Sequence, residues 1–455
     1  MDEKTRPLAS TKQILKITTL FSGVQGLNIL LNLVRTKLAA LLLGPAGTGL
    51  NSIYNEMREL IHTTTNMGMD VSSVRELSQA YEDGDIEKVR EAVGLTRSWV
   101  MLLALVGMLI CLVLAEPLSW LTFSDFSHAS AYALLSPAIA FSTLACGEMA
   151  ILKGTRRLRA LAVISVVNVI AGIVTTIPLY YIWGMAGIVP ALVLLTLALY
   201  VIVIAYSFRI YPLRLCFKAV SLRKGFPMLV VGTSFVLTGL VSHGTELAIR
   251  TYLNNVASLE TVGLYAAGFT IVMTYGGMIF ASLDNDYFPR LSGIFQDAEK
   301  RQETMNKQIS VLLMLVIPLA IVLMLVLPVA VPLLFSSEFN AVIPMAQAAT
   351  LALLYRAAYL PAAYMPLAAG DSRSFLCLET VSYIIVLACV ITGYQLYGLM
   401  GTGIALAVSN LMDMIVNLLF VRLKYDVRVT KKIVFSLIIS TLLLSIAVAL
   451  CLRYL

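Results

Sequence analysis

The sequence predicts an all-α polytopic membrane protein: two six-helix bundles related by a pseudo-twofold axis along the membrane normal, plus one extra C-terminal helix. Three observations carry that expectation. The 455 residues have a mean hydropathy of +0.86, with 59% hydrophobic and 13% charged residues, a balance outside that of water-soluble domains. Basic residues cluster in alternate loops, as membrane topology requires. Short motifs also repeat at an offset of 214 to 216 residues, the mark of a duplicated chain.

A helix crosses the hydrocarbon core with roughly 20 apolar residues. Such stretches fall at about 14–43, 48–76, 92–115, 129–152, 160–182, 186–208, 226–254, 260–288, 308–335, 340–368, 374–396, 399–421 and 433–452. The longest segment left between them is about 20 residues, too short for an attached catalytic domain. The N-terminus, MDEKTRPLASTKQ, is polar and basic, and the apolar segment after it is too long for a cleaved signal peptide and has no AxA-like site. It is expected to stay cytoplasmic. Cytoplasmic segments then follow even-numbered spans, and 27 of the 33 Lys and Arg lie in them, whereas EPLSWLTFSDFS, IWGMAG and SSEFNA have none. The odd thirteenth span leaves the C-terminus outside. Six scattered cysteines without a CxxC motif point to neither a disulfide framework nor a zinc site.

The repeat pairs ArgThrLysLeu at 35–38 with ArgThrTyrLeu at 250–253, and Thr48-Gly49-Leu50 with Val262-Gly263-Leu264. It also pairs the segment around Arg75 with that around Arg290, Gly154 with Gly370, and WGMAGIVPAL at 183–192 with YGLMGTGIAL at 397–406. The expected division is an N-lobe at 1–208, a cytoplasmic linker at 209–225, a C-lobe at 226–421, and a basic loop with the thirteenth helix at 422–455. An even number of helices per half gives both halves the same orientation. Repeats of this kind rock against each other around a site near the membrane midplane.

Taken in order, GPAGTGL at 44–50, LKGTRR after the fourth span, the WGMAGI turn, SLETVGLYAA and LLFSSEF at 333–339 resemble the Wzx-type flippases of the multidrug/oligosaccharidyl-lipid/polysaccharide (MOP) superfamily. The resemblance covers nearly the whole twelve-helix core and is strongest to the branch that moves O-antigen or enterobacterial-common-antigen units. The thirteenth helix departs from the twelve- or fourteen-helix pattern. The resemblance implies a V-shaped fold in the bacterial inner membrane and a cargo of undecaprenyl-pyrophosphate-linked oligosaccharide turned from the cytoplasmic to the outer leaflet. It also implies membrane lipids and a polysaccharide polymerase as partners, and no enzymatic activity. Neither a cofactor nor nucleic acid is called for.

Polar groups inside the spans are costly in lipid and mark cavities or paired seams. On the second span Asn51, Asn55, Arg58, His62, Thr65 and Asn66 share one face, with Glu59 and Asp70 at its edge, while Ile53, Met57 and Ile61 cover the other. Arg35 and Arg250 occupy repeat-equivalent positions, and Arg58 and Arg356 lie deeper, the latter beside Tyr355 and Tyr359. Forked guanidinium donors suit a pyrophosphate. For Arg250 an ion pair with Glu246 one turn away stays open as the alternative. Candidates for coupling to H+ or Na+ are Glu246, Asp70 and Asp413, the last in an arc with Asn410 and Asn417. Glu148, Asp284, Asp286 and Glu379 are expected at solvated ends. Prolines 318, 328, 332, 344, 361 and 366 are expected to bend the ninth and tenth spans.

The leading expectation is a flippase. An ion-coupled drug or metabolite antiporter, which favours an acidic cavity, and a lipid II flippase are the alternatives. A membrane polymerase would need a large outer loop, and no GxxxxGK[ST] phosphate loop is present for ATP hydrolysis.

Overall fold

The computed structural model describes residues 11–215, 219–281 and 283–453. Residues 1–10, Cys216 with the rest of 216–218, and the Asp284 side chain lie outside that description. All described secondary structure is helical. In chain order it runs α1 (Thr11–Asn66), α2 (Met69–Glu82), α3 (Ile86–Val113), α4 (Ala115–Phe123), α5 (Ala129–Gly154), α6 (Leu158–Trp183) and α7 (Ile188–Ile210). There follow α8 (Ala219–Val256), α9 (Leu259–Phe269), α10 (Phe288–Ile294), α11 (Ala298–Leu334), α12 (Ile343–Ala363), α13 (Met365–Ala368), α14 (Ser372–Tyr425) and α15 (Lys431–Arg453). Between α9 and α10 the described residues are helical but irregular, with π turns at Thr270–Tyr275 and Leu283–Tyr287 and a 3-10 turn at Gly276–Phe280.

Among the described residues, nine helical stretches are long and apolar enough to cross a membrane. Three of them, Gly26–Asn66, Leu158–Ile210 and Ser372–Tyr425, are 41, 53 and 54 residues long. At about 1.5 Å per residue each is roughly twice the ~30 Å hydrocarbon thickness, so each carries two predicted spans. The loops expected between those spans shrink to short turns, each containing a glycine at positive φ, Gly44 at 62°, Gly184 at 53° and Gly398 at 58°. Gly184 and Gly398 are 214 positions apart and share one conformation, with ψ of −129° and −142°, a region open only to a residue without Cβ. At Gly398 the chain folds back, since the two ends of α14 meet: Lys424 pairs with Asp371 and donates to Ser374 Oγ at 2.7 Å. The same offset of 214 links Gly370 (φ 72°) to Arg156 (φ 54°), so Arg156, rather than Gly154, is the conformational counterpart of Gly370.

The described chain forms two compact units. The first comprises the described parts of Met1–Leu42, Thr65–Ala115 and Ser130–Thr233; the second those of Leu43–Thr64, Glu116–Ala129 and Ser234–Leu455. These units and the repeat boundary at 208–226 are different divisions of the chain, because 43–64 and 116–129 group with the second unit.

In the first unit α5 is the buried centre. Leu77, Val89, Val93 and Ile151 join it to α2 and α3, and Leu152, Ile164 and Val203 join it to α6 and α7. A buried ion pair reinforces it. Arg97 Nε and Nη2 donate to the Glu148 carboxylate at 2.7 and 3.0 Å, Ser207 donates to Glu148 at 2.5 Å, and the remaining guanidinium donors meet the carbonyls of Tyr211 and Pro212. Glu148 is therefore not a solvated end residue: it is 5% exposed, and a fully hydrogen-bonded partner makes that burial tolerable.

In the second unit α12 lies between α11 and α14, and Met324, Ala348 and Val448 bring α15 into the same core. The loop before α15 is pinned by α11, where Asn306 donates to Arg428 O at 2.9 Å and accepts from Thr430 N at 2.9 Å. Gly49 and Gly263, equivalent in the repeat, touch backbone to backbone, and a Cβ on either would collide with the other segment.

Three expectations are corrected. The second span breaks at Met67 and Gly68, both at positive φ (52° and 64°). Helix α11 runs unbroken through Pro318, Pro328 and Pro332, whereas Pro361 and Pro366 flank the break between α12 and α13. Finally, part of the EPLSWLTFSDFS loop is the short helix α4.

Candidate functional site

A cavity of about 320 Å³ lies inside the second unit, among helices that supply both charge and aromatic surface. Glu56 enters from α1, and Ser242, His243 and Glu246 from α8. Phe269 and Met273 come from the end of α9 and the π turn after it, where the irregular backbone re-aims side chains that a straight helix would place elsewhere. Arg356 and Tyr359 come from α12. Each half of α14 gives a polar stripe, Glu379, Ser382 and Tyr383 from the first and Asn410, Asp413 and Asn417 from the second.

The charges fall into two groups. In the first, Arg250 is 5% exposed and held by Glu246 Oε2 at 2.6 Å and Glu56 Oε1 at 3.5 Å. The other oxygen of Glu56 meets His243 Nδ1 at 3.2 Å. Glu56 and Glu246 are thus compensated, and Arg250 has its strongest donors engaged by protein carboxylates. In this structure Arg250 makes the ion pair with Glu246 that its helical spacing allows. In the second group Glu379 is near both Asp413 and Arg356, and all three line the cavity. Among the described residues Arg356 has no ion pair; its guanidinium lies 5.5 Å from the Phe280 ring centroid. Asp413 has Ser382 as a hydroxyl neighbour, and its Oδ1 lacks a partner. Tyr359 donates to Asn410 Oδ1 at 3.5 Å.

Of the predicted site residues, this cavity brings together Arg356, Tyr359, Glu246 and Asp413. The second-span face is divided. Asn51 and Asn55 lie half-buried on α1 in the second unit, where Arg58 donates to Asn55 Oδ1 at 3.0 Å and pairs with Glu59. His62 stands 3.8 Å from the same Glu59. Asn66 and Asp70 belong to the first unit; Asn66 is 4% exposed and reaches Asp70 at 3.5 Å, and Asp70 itself is exposed at the start of α2. Arg35, also in the first unit, lies against Gly172 of α6. The cationic cavity that four arginines suggested is, in the second unit, lined by four carboxylates against Arg356 and His243. Glu56 and Glu379 are the residues that sequence reasoning missed. Glu56 sits off the polar arc of its helix, and Glu379 was placed at a solvated end. The signal for both was a carboxylate within an apolar span.

The chain matches the polysaccharide biosynthesis protein family over residues 14–295. No curated protein sequence is detectably similar to it. Among solved structures it is similar to the lipid II flippase MurJ in an inward closed conformation, with a TM-score of 0.74 and 16% identity over 94% of this chain and 92% of that one. It is also similar to an inward-facing multidrug resistance MATE family transporter of the MOP superfamily, with a TM-score of 0.71 and 14% identity over 88% and 94%. A MOP superfamily transporter from Pyrococcus furiosus, described for the reverse polarity of its binding pocket, gives 0.63 and 14% over 91% and 95%. At these identities the likeness is one of fold.

Proposed function

Since the chain belongs to the polysaccharide biosynthesis protein family and has the fold of MOP superfamily transporters, we propose that it is a flippase for undecaprenyl-pyrophosphate-linked oligosaccharide. In this reading it lies in the bacterial inner membrane with its N-terminus in the cytoplasm and moves its cargo to the outer leaflet by alternating access of the two repeat halves. The observation that carries the reading is a charged, aromatic-lined cavity whose α1, α9, α12 and α14 walls belong to stretches long and apolar enough to span a bilayer. Such groups are costly against lipid, and a polar head group entering between helices gives them partners. Among the described residues Arg356 pairs with no carboxylate, which leaves its guanidinium for a phosphate oxygen, and Tyr359 offers ring and hydroxyl to a sugar. Arg35 and Arg58 are assigned to cargo contact outside this cavity, together with Asn51, Asn55, His62 and Asn66.

The coupling cation, H+ or Na+, is assigned to the Glu56, His243, Glu246 and Arg250 cluster. A carboxylate there that exchanges Arg250 for a proton links ion binding to helix movement. Asp70, exposed at the start of α2, is left out of this coupling.

A second reading, an ion-coupled antiporter of organic cations, is favoured by one observation: Glu379 and Asp413 leave the cavity richer in carboxylates than in cations. Proteoliposomes carrying a fluorescent lipid-pyrophosphate-oligosaccharide distinguish the two. The flippase reading expects translocation by the wild type and a loss of at least tenfold in Arg356→Ala, with smaller losses in Arg35→Ala and Arg58→Ala. Unchanged transport in all three rejects the cationic contacts. Export of organic cations without lipid translocation establishes the antiporter.

A further inference from the structure

The second half of α14 presents a face made of hydrogen-bond acceptors alone. Asn410 and Asn417 each turn Nδ2 back onto their own helix, donating to Leu406 O at 2.8 Å and Asp413 O at 2.9 Å. Only the nitrogen of a carboxamide can donate to a carbonyl, so its orientation is fixed and Oδ1 remains as an acceptor. Asp413 lies between them, one turn from each. All three side chains line the cavity and are only 2–3% exposed. The Oδ1 atoms of Asp413 and Asn417 have no partner among the described residues, and that of Asn410 has only the long Tyr359 contact.

Buried acceptors without donors are unfavourable, and the cheapest remedy is a ligand rich in N–H and O–H groups. Charge narrows its class. Arg250 and His243 answer Glu246 and Glu56, which leaves Glu379 and Asp413 with Arg356 as the one other cation among the described lining residues, a net negative wall. Oxygen acceptors suit a hard cation as well as an organic donor; the Phe269 and Phe375 rings in the same lining favour the organic one. Phe269 and Phe375 supply the apolar surface that packs on the face of a sugar ring and that an ammonium group favours. About 320 Å³ is at the small end of ligand cavities, room for one sugar unit rather than a whole oligosaccharide.

We infer that this cavity is the subsite for a saccharide unit bearing a protonated amine. Asp413 and Glu379 accept from the ammonium, and Asn410 and Asn417 accept from neighbouring hydroxyls. The inference rests on the lipid-linked saccharide reading and moves Asp413 from ion coupling to cargo recognition.

The test titrates the full-length protein in nanodiscs with glucosamine, N-acetylglucosamine, glucuronic acid and choline, read by saturation-transfer NMR. Glucosamine is expected to bind at least tenfold more tightly than N-acetylglucosamine, and glucuronic acid not at all. Asp413→Asn, nearly isosteric, is expected to lose at least tenfold in glucosamine affinity with its thermal unfolding midpoint unchanged. Glu379→Gln, on the facing half of α14, should lose affinity likewise and carries the test if Asp413→Asn fails to fold. Equal binding of N-acetylglucosamine, choline binding as tightly as glucosamine, or full affinity in both variants overturns the inference. Translocation of an amine-free lipid-linked oligosaccharide is read separately. Transport without any glucosamine preference removes this inference alone. A glucosamine preference without transport of any lipid-linked sugar removes the flippase reading and leaves the amine site standing.

Discussion

Arg250, itself buried, shares its charge between Glu246 and Glu56, and removing it leaves two carboxylates with His243 and, for Glu56, Arg58 as cationic neighbours. Breaking a buried pair from one side costs about 3–5 kcal/mol. Arg250→Ala should therefore lower the thermal unfolding midpoint sharply in detergent, and adding Glu246→Ala should recover much of the loss. The Arg97–Glu148 pair behaves in the same way: Glu148→Ala is expected to cost about 3–5 kcal/mol, while the double variant Arg97→Met/Glu148→Leu stays near the wild type in the same assay. The two pairs were not equally visible in the sequence. Glu246 and Arg250 are one helical turn apart, so their meeting follows from spacing alone. Glu56 and Arg250, or Arg97 and Glu148, are joined only by tertiary packing, and no periodicity reveals such a contact. That is why Arg250 reads equally well in sequence as a phosphate ligand, and why Glu148 reads as solvated.

At the level of elements, the turn within α14 depends on Gly398. A residue with Cβ at φ 58°, ψ −142° is strained by about 1–3 kcal/mol. Gly398→Ala should lower stability by that amount, and Gly184→Ala should match it because the two glycines share a conformation. Similar losses at both sites would verify the repeat energetically, whereas an unchanged midpoint would contradict it. The ends of α14 add a pH dependence. The Lys424 ammonium beside Asp371, helped by the Ser374 hydroxyl and backbone N–H, holds the Asp371 carboxyl well below the usual carboxylate range. A depressed acid adds stability above its unfolded value of about 3.9, and that stability is lost as pH falls through the folded value. The unfolding midpoint of the wild type should therefore fall more steeply below pH 4 than that of Asp371→Asn. Helix positions were legible because long apolar runs have one interpretation in a membrane. Their junctions were not. A glycine at positive φ can reverse the chain within one or two residues, and prolines that suggest kinks lie inside α11 without ending it.

For the whole molecule, hydropathy and the 214-residue offset already contained the fold. The equivalence is visible in atoms where Gly49 meets Gly263. The site was legible only in part, since sequence identifies which polar groups lie within spans but not which of them neutralise one another. Four arginines suggested a cationic vestibule, whereas in the second unit the carboxylates outnumber the cations around the cavity. The central claim is that this cavity receives the polar head of a lipid-linked saccharide. Its most direct test is photo-crosslinking with a lipid-pyrophosphate oligosaccharide carrying a diazirine on the sugar, followed by mass spectrometry of the labelled peptides. The account predicts labelling on segments containing Arg356 to Tyr359, Glu379 to Tyr383 and Asn410 to Asn417, competed by unlabelled cargo. Labelling confined to the exposed apolar faces of α11 and α15, or insensitive to competitor, would contradict it.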